Sequence, residues 1–247
     1  MKKKIVGFLA AGALVCALSL FAGPAQAALN FGGLVGWYNP TYGKVNNDLE
    51  PLNERLGTNW ELGSGLAYGL NLGYNLSPNR AIRGEYFSFS SKTSDSYSGL
   101  VPYTDVDVDI DYEVQANLGA LILSGIYRFS PDKAFCPYAG VGIGLFSTEL
   151  KTKARGKGSY YDHYEEWAGN VNKSQSDSAS PIGFQFLGGA EYKVGENLSV
   201  IGEIRYISAK AEGLFKGDPP EYNPYSTGED IDWSGLSLSL GITYTFK

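Results

Sequence analysis

The chain has 247 residues, with 20 Lys and Arg against 26 Asp and Glu, one His and a net charge of −6. That balance argues against nucleic acid as a partner, because phosphate binding needs a basic surface. One histidine and two cysteines leave no Cys/His metal spacing, and the chain has no glycine-rich phosphate loop and no Ser-centred nucleophile motif.

In chain order, the first feature is Lys2, Lys3 and Lys4, followed by an apolar run from Ile5 to about Ala22 and then Gly23-Pro24-Ala25-Gln26-Ala27. This is the layout of an export signal. A retained helical anchor is the competing reading, and the Ala-Gln-Ala site favours removal. Cleavage is expected after Ala27, leaving residues 28–247 as a single domain. That domain would hold 17 basic residues (20 less the three leader lysines) against 26 acidic, about −9. Cys16 lacks the context of a lipoprotein site, and Cys136 alone would remain, so no intramolecular disulfide forms. Cys136 reads as a small buried or lipid-facing strand residue.

Past the leader no run reaches the roughly 18 apolar residues of a transmembrane helix, so a membrane crossing must rest on strands. Two-residue alternation recurs, and no 3.6-residue period is sustained, which predicts an all-β chain. A first strand is expected at Leu29 to Tyr38, before a polar segment over about 39–62. Gly65 to Leu76 sets Leu66, Tyr68, Leu70, Leu72 and Tyr74 opposite Ala67, Gly69, Asn71 and Gly73. Later strands start near Ala81, Cys136 and Leu198 and run into polar segments over about 91–105, 156–179 and 212–230. Ile182 to Val194 alternates in the same way. Leu236 to Phe246 is the clearest strand, with Leu, Ile, Tyr and Phe at even positions and Ser, Gly and Thr at odd ones. Such runs have the roughly 9 to 11 residues that a tilted strand needs to cross a bilayer.

Four strands end on Tyr74-Asn75-Leu76, Tyr127-Arg128-Phe129, Tyr192-Lys193-Val194 and Tyr244-Thr245-Phe246. The first three enter turns at Ser77-Pro78-Asn79, Ser130-Pro131-Asp132 and Gly195-Glu196-Asn197. Short turns on one rim and long polar segments on the other predict an antiparallel up-and-down barrel of eight strands in an outer membrane, with short periplasmic turns and long external loops. The four tyrosines would line the periplasmic rim, where an amphipathic ring suits lipid headgroups.

Three stretches, Arg83-Gly84-Glu85-Tyr86, Pro137-Tyr138-Ala139-Gly140-Val141-Gly142-Ile143-Gly144 and Thr243-Tyr244-Thr245-Phe246, resemble the eight-stranded outer-membrane barrels that include the OmpA transmembrane domain, OmpX, the opacity proteins and OmpW. The resemblance implies a Gram-negative outer-membrane location. It also implies lipid and lipopolysaccharide neighbours, and recognition by the barrel-assembly machinery through Phe246, here followed by Lys247.

Three constellations bear on function. Alternation points Arg83, Glu85, Glu191, Lys193, Glu203 and Arg205 into the lumen. Buried charges require partners, so these six are expected to pair and fill an interior only just wide enough for side chains. A narrow gated pore is the competing reading. Asp105, Asp107, Asp109, Asp111 and Glu113 share one strand face, and Lys151, Lys153, Arg155 and Lys157 share another. A Ca²⁺ site is one reading of the acids. An external cross-strand charge ladder, requiring a bulge in one strand, is the favoured one. Finally, His163 in Tyr161-Asp162-His163-Tyr164-Glu165 is where an enzyme hypothesis would have to begin, and an exposed loop histidine is the reading preferred.

These features lead to an expected non-enzymatic structural or surface-interaction protein, without cofactor, metal or catalytic residues. The alternatives are an OmpW-like conduit for small hydrophobic molecules, which needs an apolar upper lumen and a lateral gap, and a lipid-modifying enzyme at the rim.

Overall fold

A computed structural model describes residues 28–59, 61–100, 106–161, 166–214 and 229–246. Ten strands and one helix follow in order: β1 (Leu29–Tyr42), α1 (Lys44–Leu56), β2 (Gly65–Ser77), β3 (Arg80–Leu100), β4 (Val106–Arg128), β5 (Phe135–Tyr161), β6 (Glu166–Ala179), β7 (Ile182–Lys193), β8 (Leu198–Ser208), β9 (Lys210–Leu214) and β10 (Glu229–Phe246). Antiparallel ladders join β1-β2-β3-β4-β5-β7-β8-β10, and β10 pairs back onto β1 from Leu29↔Phe246 upward. The sheet is thus a closed barrel of eight staves, which leaves no exposed edge within a bilayer. Two staves are interrupted. β6 continues β7 beyond Ser180-Pro181, and β9 continues β8 beyond Ala209. Pro181 has no N–H for a ladder, although its carbonyl still accepts from Phe146 N at 2.9 Å.

Burial decides which face of each strand is which. On β10, Leu238 and Leu240 are 66% and 65% exposed while Ser237 and Ser239 are 1% and 4% exposed. Leu66, Leu70, Val141, Ile143, Phe184 and Phe186 are likewise turned outward. A water-soluble barrel would reverse this arrangement; an apolar outer belt needs lipid. Tyr127, Tyr192 and Tyr244 stand exposed near the short-turn rim, the first and last edge-on to Phe129 and Phe246 at centroid distances of 5.3 and 4.9 Å.

The long-segment rim is more regular than its polar composition suggests. β3, β4 and β5 have 21, 23 and 27 residues, about twice what a crossing needs. With β6 they rise as a four-stranded wall outside the membrane. The segment after β1 holds a helix, which the search for a sustained helical period misses because α1 is only 13 residues long. Its signal is local: Val45, Leu49, Leu52 and Leu56 recur at intervals of four, three and four. Gly57 ends it in the left-handed conformation at φ 67, with its N–H on Asn53 O. At the other end, Tyr42 and Gly43 both take φ 54, turning the chain from β1 back over the mouth.

Candidate functional site

Tyr38, Phe87, Phe89, Phe146, Ile207 and Trp233 fill the external half of the lumen. Val45 and Leu49 of α1, with Leu62, pack onto the same cluster from above. Tyr38 lies edge-on to Phe87 and Phe89, at 5.4 and 5.0 Å between centroids. Phe89 and Tyr42 each meet Trp233, at 6.3 and 5.6 Å. The polar edges are satisfied: Tyr38 Oη donates to Trp233 O, Trp233 Nε1 to Thr148 Oγ1, and Tyr42 Oη to Gly63 O at 2.8 Å. This is a packed apolar core inside a barrel.

A floor of charge lies directly beneath. Arg83 and Glu85 on β3 face Glu203 and Arg205 on β8, four staves away and therefore across the full width of the lumen. Arg83 Nη1 donates to Glu203 Oε2 at 2.7 Å and Arg83 Nη2 to Glu203 Oε1 at 3.1 Å. Arg83 Nη2 lies 3.1 Å from Glu85 Oε2, Arg205 Nη2 lies 2.6 Å from Glu203 Oε1, and Arg205 Nη1 pairs with Glu85 Oε1. Each carboxylate therefore meets both guanidiniums, an alternating square that only side chains of this reach can close across eight staves. Arg205 Cζ also sits 5.4 Å from the centroid of the Phe87 ring, joining the floor to the core above. Tyr138 adds a donor, Oη to Glu203 Oε2 at 2.9 Å. It has room to do so because Gly189, its cross-strand partner, lacks a side chain: a Cβ there would fall 2.7 Å from the Tyr138 ring and hydroxyl.

Glu191 and Lys193, expected in the same network, stand apart from the square. Glu191 Oε2 lies 3.8 Å from Arg128 Nε, and Lys193 Nζ donates to Pro131 O at 2.7 Å. Both border a polar vestibule of about 380 Å³ at the periplasmic mouth. The reason is axial position. Glu191 pairs with Ile201 and Lys193 with Ser199, two to four residues nearer the short-turn rim than Glu203. Alternation gives the face of a residue and not its height.

The external acids and bases fall opposite one another, and Glu113–Lys153 is the opposed pair that closes an ion pair among the described residues. β4 and β5 pair without interruption from Val106↔Tyr160 to Arg128↔Tyr138, setting Asp109 opposite Lys157, Asp111 opposite Arg155 and Glu113 opposite Lys153, while Asp107 faces Ser159 and Lys151 faces Gln115. No bulge is present, contrary to expectation. The closing pair Arg128↔Tyr138 encloses nine residues, an odd number that leaves residues of equal parity opposite each other, so the rows match directly. Glu113 binds two cations, Lys153 Nζ at 2.9 Å and Lys92 Nζ at 2.7 Å. These two hydrogen bonds, that from Lys92 foremost, hold its carboxyl down at about 2.

Sequence reasoning missed Tyr138, Arg128 and Lys92 as members of these clusters. Arg128 was legible, because it alternates between the outward Tyr127 and Phe129. Lys92 was hidden in a segment read as loop. The leader, Asp105 and His163 lie outside the described residues.

The family described as "Outer membrane protein beta-barrel domain" matches residues 13–246. The chain belongs to that family. It is an outer-membrane barrel, set among outer-membrane lipids and lipopolysaccharide. Outer membrane protein PagN of Salmonella typhimurium is 27% identical over 143 residues, 56% of this chain and 54% of that protein. The chain's match thus spans about half the length of that curated relative. Among solved structures, Neisserial surface protein A is similar at 15% identity and a TM-score of 0.47. A major outer membrane protein from Thermus thermophilus is similar at 14% and 0.48. Each comparison covers 90% of this chain and 100% of the other.

Proposed function

We propose that this barrel is a sealed, non-enzymatic anchor that displays a rigid surface platform and contributes to envelope integrity. The observation behind this reading is the stacked closure of the lumen: helix α1 over an aromatic core, over the Arg83–Glu85–Glu203–Arg205 square. Water and ions passing through would have to break a buried ion network whose partners are otherwise uncompensated. The platform is the wall of β3 to β6. Export through a leader cleaved after Ala27, and assembly through the aromatic end at Phe246, belong to the same proposal.

Planar-bilayer conductance of the refolded chain, with small-solute uptake into liposomes alongside, tests it. Sealed barrels are expected; steady, large single-channel currents would overturn the plug.

A second reading, a conduit for small hydrophobic molecules, is supported by two specific features. The external lumen is apolar, and the β7–β8 ladder ends at Phe184↔Ser208, above which β6 pairs with β5 and β9 with β10. Among the described residues no ladder joins β6 to β9. Uptake of an apolar solute without ion current, abolished by a disulfide engineered across β6 and β9, would select this reading over the sealed anchor.

A further inference from the structure

The periplasmic mouth holds an ion pair that is shielded and yet not closed. In the square, three of the guanidinium–carboxylate contacts measure 2.6, 2.7 and 3.1 Å. Arg128 Nε and Glu191 Oε2 stay 3.8 Å apart, although their side chains are only 17% and 15% exposed. Among the described residues the Glu191 carboxylate accepts no hydrogen bond, and the Arg128 guanidinium donates one, from Nη1 to Asn75 Oδ1 at 2.5 Å. Its Nε and Nη2 are left without an acceptor, whereas shielded charges call for close partners and hydrogen bonds on every side. Arg128 is also held where it stands. Its main-chain N–H donates to Asn79 O at 2.8 Å, and its carbonyl accepts from Asn79 Nδ2 at 2.9 Å. Asn75 Oδ1, which anchors the guanidinium, accepts from Asn30 Nδ2 at 2.9 Å, and Thr245 Oγ1 donates to Asn30 Oδ1 at 2.8 Å. This chain of hydrogen bonds ties the arginine to β2, β1 and β10.

We propose that Arg128 and Glu191 form a binding site for a polar α-amino acid reached from the periplasm, its carboxylate on Arg128 and its ammonium on Glu191. The proposal goes beyond the sealed-anchor reading and does not depend on it, because the site lies below the square. Three observations carry it. The first is complementarity. An α-amino acid bears two acceptor oxygens and three N–H donors on one carbon, which are the groups this open pair lacks. A lone anion or a lone cation would satisfy one partner and repel the other. The second is a donor without an acceptor. Arg128 and Glu191 border the vestibule of about 380 Å³ and also a chamber of about 40 Å³ above it, which Asn71 lines as well. Asn71 is 5% exposed, and its Nδ2 has no acceptor. A buried amide N–H left in that state is costly, and a carboxylate oxygen beside Arg128 would relieve it. The third is the vestibule lining. Asn75, Ser77, Asn197, Ser199 and Thr245 present neutral hydrogen-bonding groups to a space with room for an amino-acid side chain. Among them Asn197 Oδ1 is buried without a donor, which suits a ligand whose side chain ends in a carboxamide N–H.

Equilibrium dialysis of radiolabelled glutamine against the refolded chain in phosphatidylcholine nanodiscs tests the site. Wild type is expected to bind glutamine saturably. As competitors, N-acetylglutamine, which lacks the ammonium, and glutaminamide, which lacks the carboxylate, should each be weaker than glutamine by about tenfold or more. Arg128→Gln and Glu191→Gln should each lower the affinity for glutamine by about the same factor, while Asp111→Asn, on the external wall, should leave it unchanged. The competitor series needs no variant and decides the matter if either variant does not refold. Four outcomes would overturn the site: no saturable binding, as in a vestibule that holds water only; equal competition by an analogue lacking either charge; unchanged affinity in refolded Arg128→Gln or Glu191→Gln; or an equal loss in Asp111→Asn.

Discussion

The protein uses the same chemistry twice, in opposite surroundings. Arg83, Glu85, Glu203 and Arg205 form a square shielded from solvent, the two carboxylates wholly buried. The rows Asp109–Lys157, Asp111–Arg155 and Glu113–Lys153 form a ladder facing solvent. Counting opposed charges in the sequence would rank the ladder as the equal of the square, although of its three rows Glu113–Lys153 alone is an ion pair. Physical context does not, because a desolvated charge has nothing but its partner, whereas an exposed one can turn to water. The square therefore closes the lumen, and the ladder remains available to other molecules.

The largest effect should come from removing one corner of the square. Arg205→Leu leaves Glu85 and Glu203 short of a buried counter-charge and is expected to cost about 3–5 kcal/mol, read as a lower midpoint in urea unfolding of the refolded barrel. Replacing Glu85 and Arg205 together by apolar residues of similar size should recover much of that loss. If the single and double variants are equally unstable, the corners do not act as a unit.

Next is the space that lets Tyr138 reach the square. Gly189→Ala pushes a methyl into both the Gly202 carbonyl oxygen and the Tyr138 ring, at an expected cost of about 1–3 kcal/mol, of which the share due to the ring should vanish in a Tyr138→Ala background. Tyr138→Phe alone should cost about 1.5–3 kcal/mol, that of a lost hydrogen bond to a charged group. A Gly189→Ala effect that persists unchanged in the Tyr138→Ala background would show that the ring is not what the methyl strikes.

The ladder should yield least. Asp111→Asn is expected to shift stability by less than about 1 kcal/mol, and by less still as salt is raised. An effect as large as that of Arg205→Leu would erase the distinction between the two regions. Glu113 sharpens it by titration. Its carboxyl, held by Lys92 and Lys153, should titrate near 2 in carbon-detected NMR, and Lys92→Ala should raise the midpoint. Because the folded value lies below the ordinary 4.5, the pair contributes stability above that pH and loses it as pH falls toward 2.

Much of this was legible in the chain. Period-two alternation in Gly65 to Leu76 and Leu236 to Phe246, with Tyr-ended strands entering tight turns, specifies an eight-stave barrel and which residues share a face, because strand side chains can only alternate. The faces of Arg83, Glu85, Glu203 and Arg205, and the matching of acidic and basic rows on one hairpin, follow from the same rule. Three things were decided only by the tertiary structure. The height of a residue along the barrel depends on tilt and shear, which is why Glu191 and Lys193 sit at the periplasmic mouth while Glu203 and Arg205 reach across to β3. The closure of the external lumen depends on α1 folding back over it, through Tyr42 and Gly43, onto Trp233 and its neighbours. The polar external segments became strand because each ladder, once begun in the membrane, supplies the hydrogen-bond partners that carry β3, β4 and β5 on beyond it.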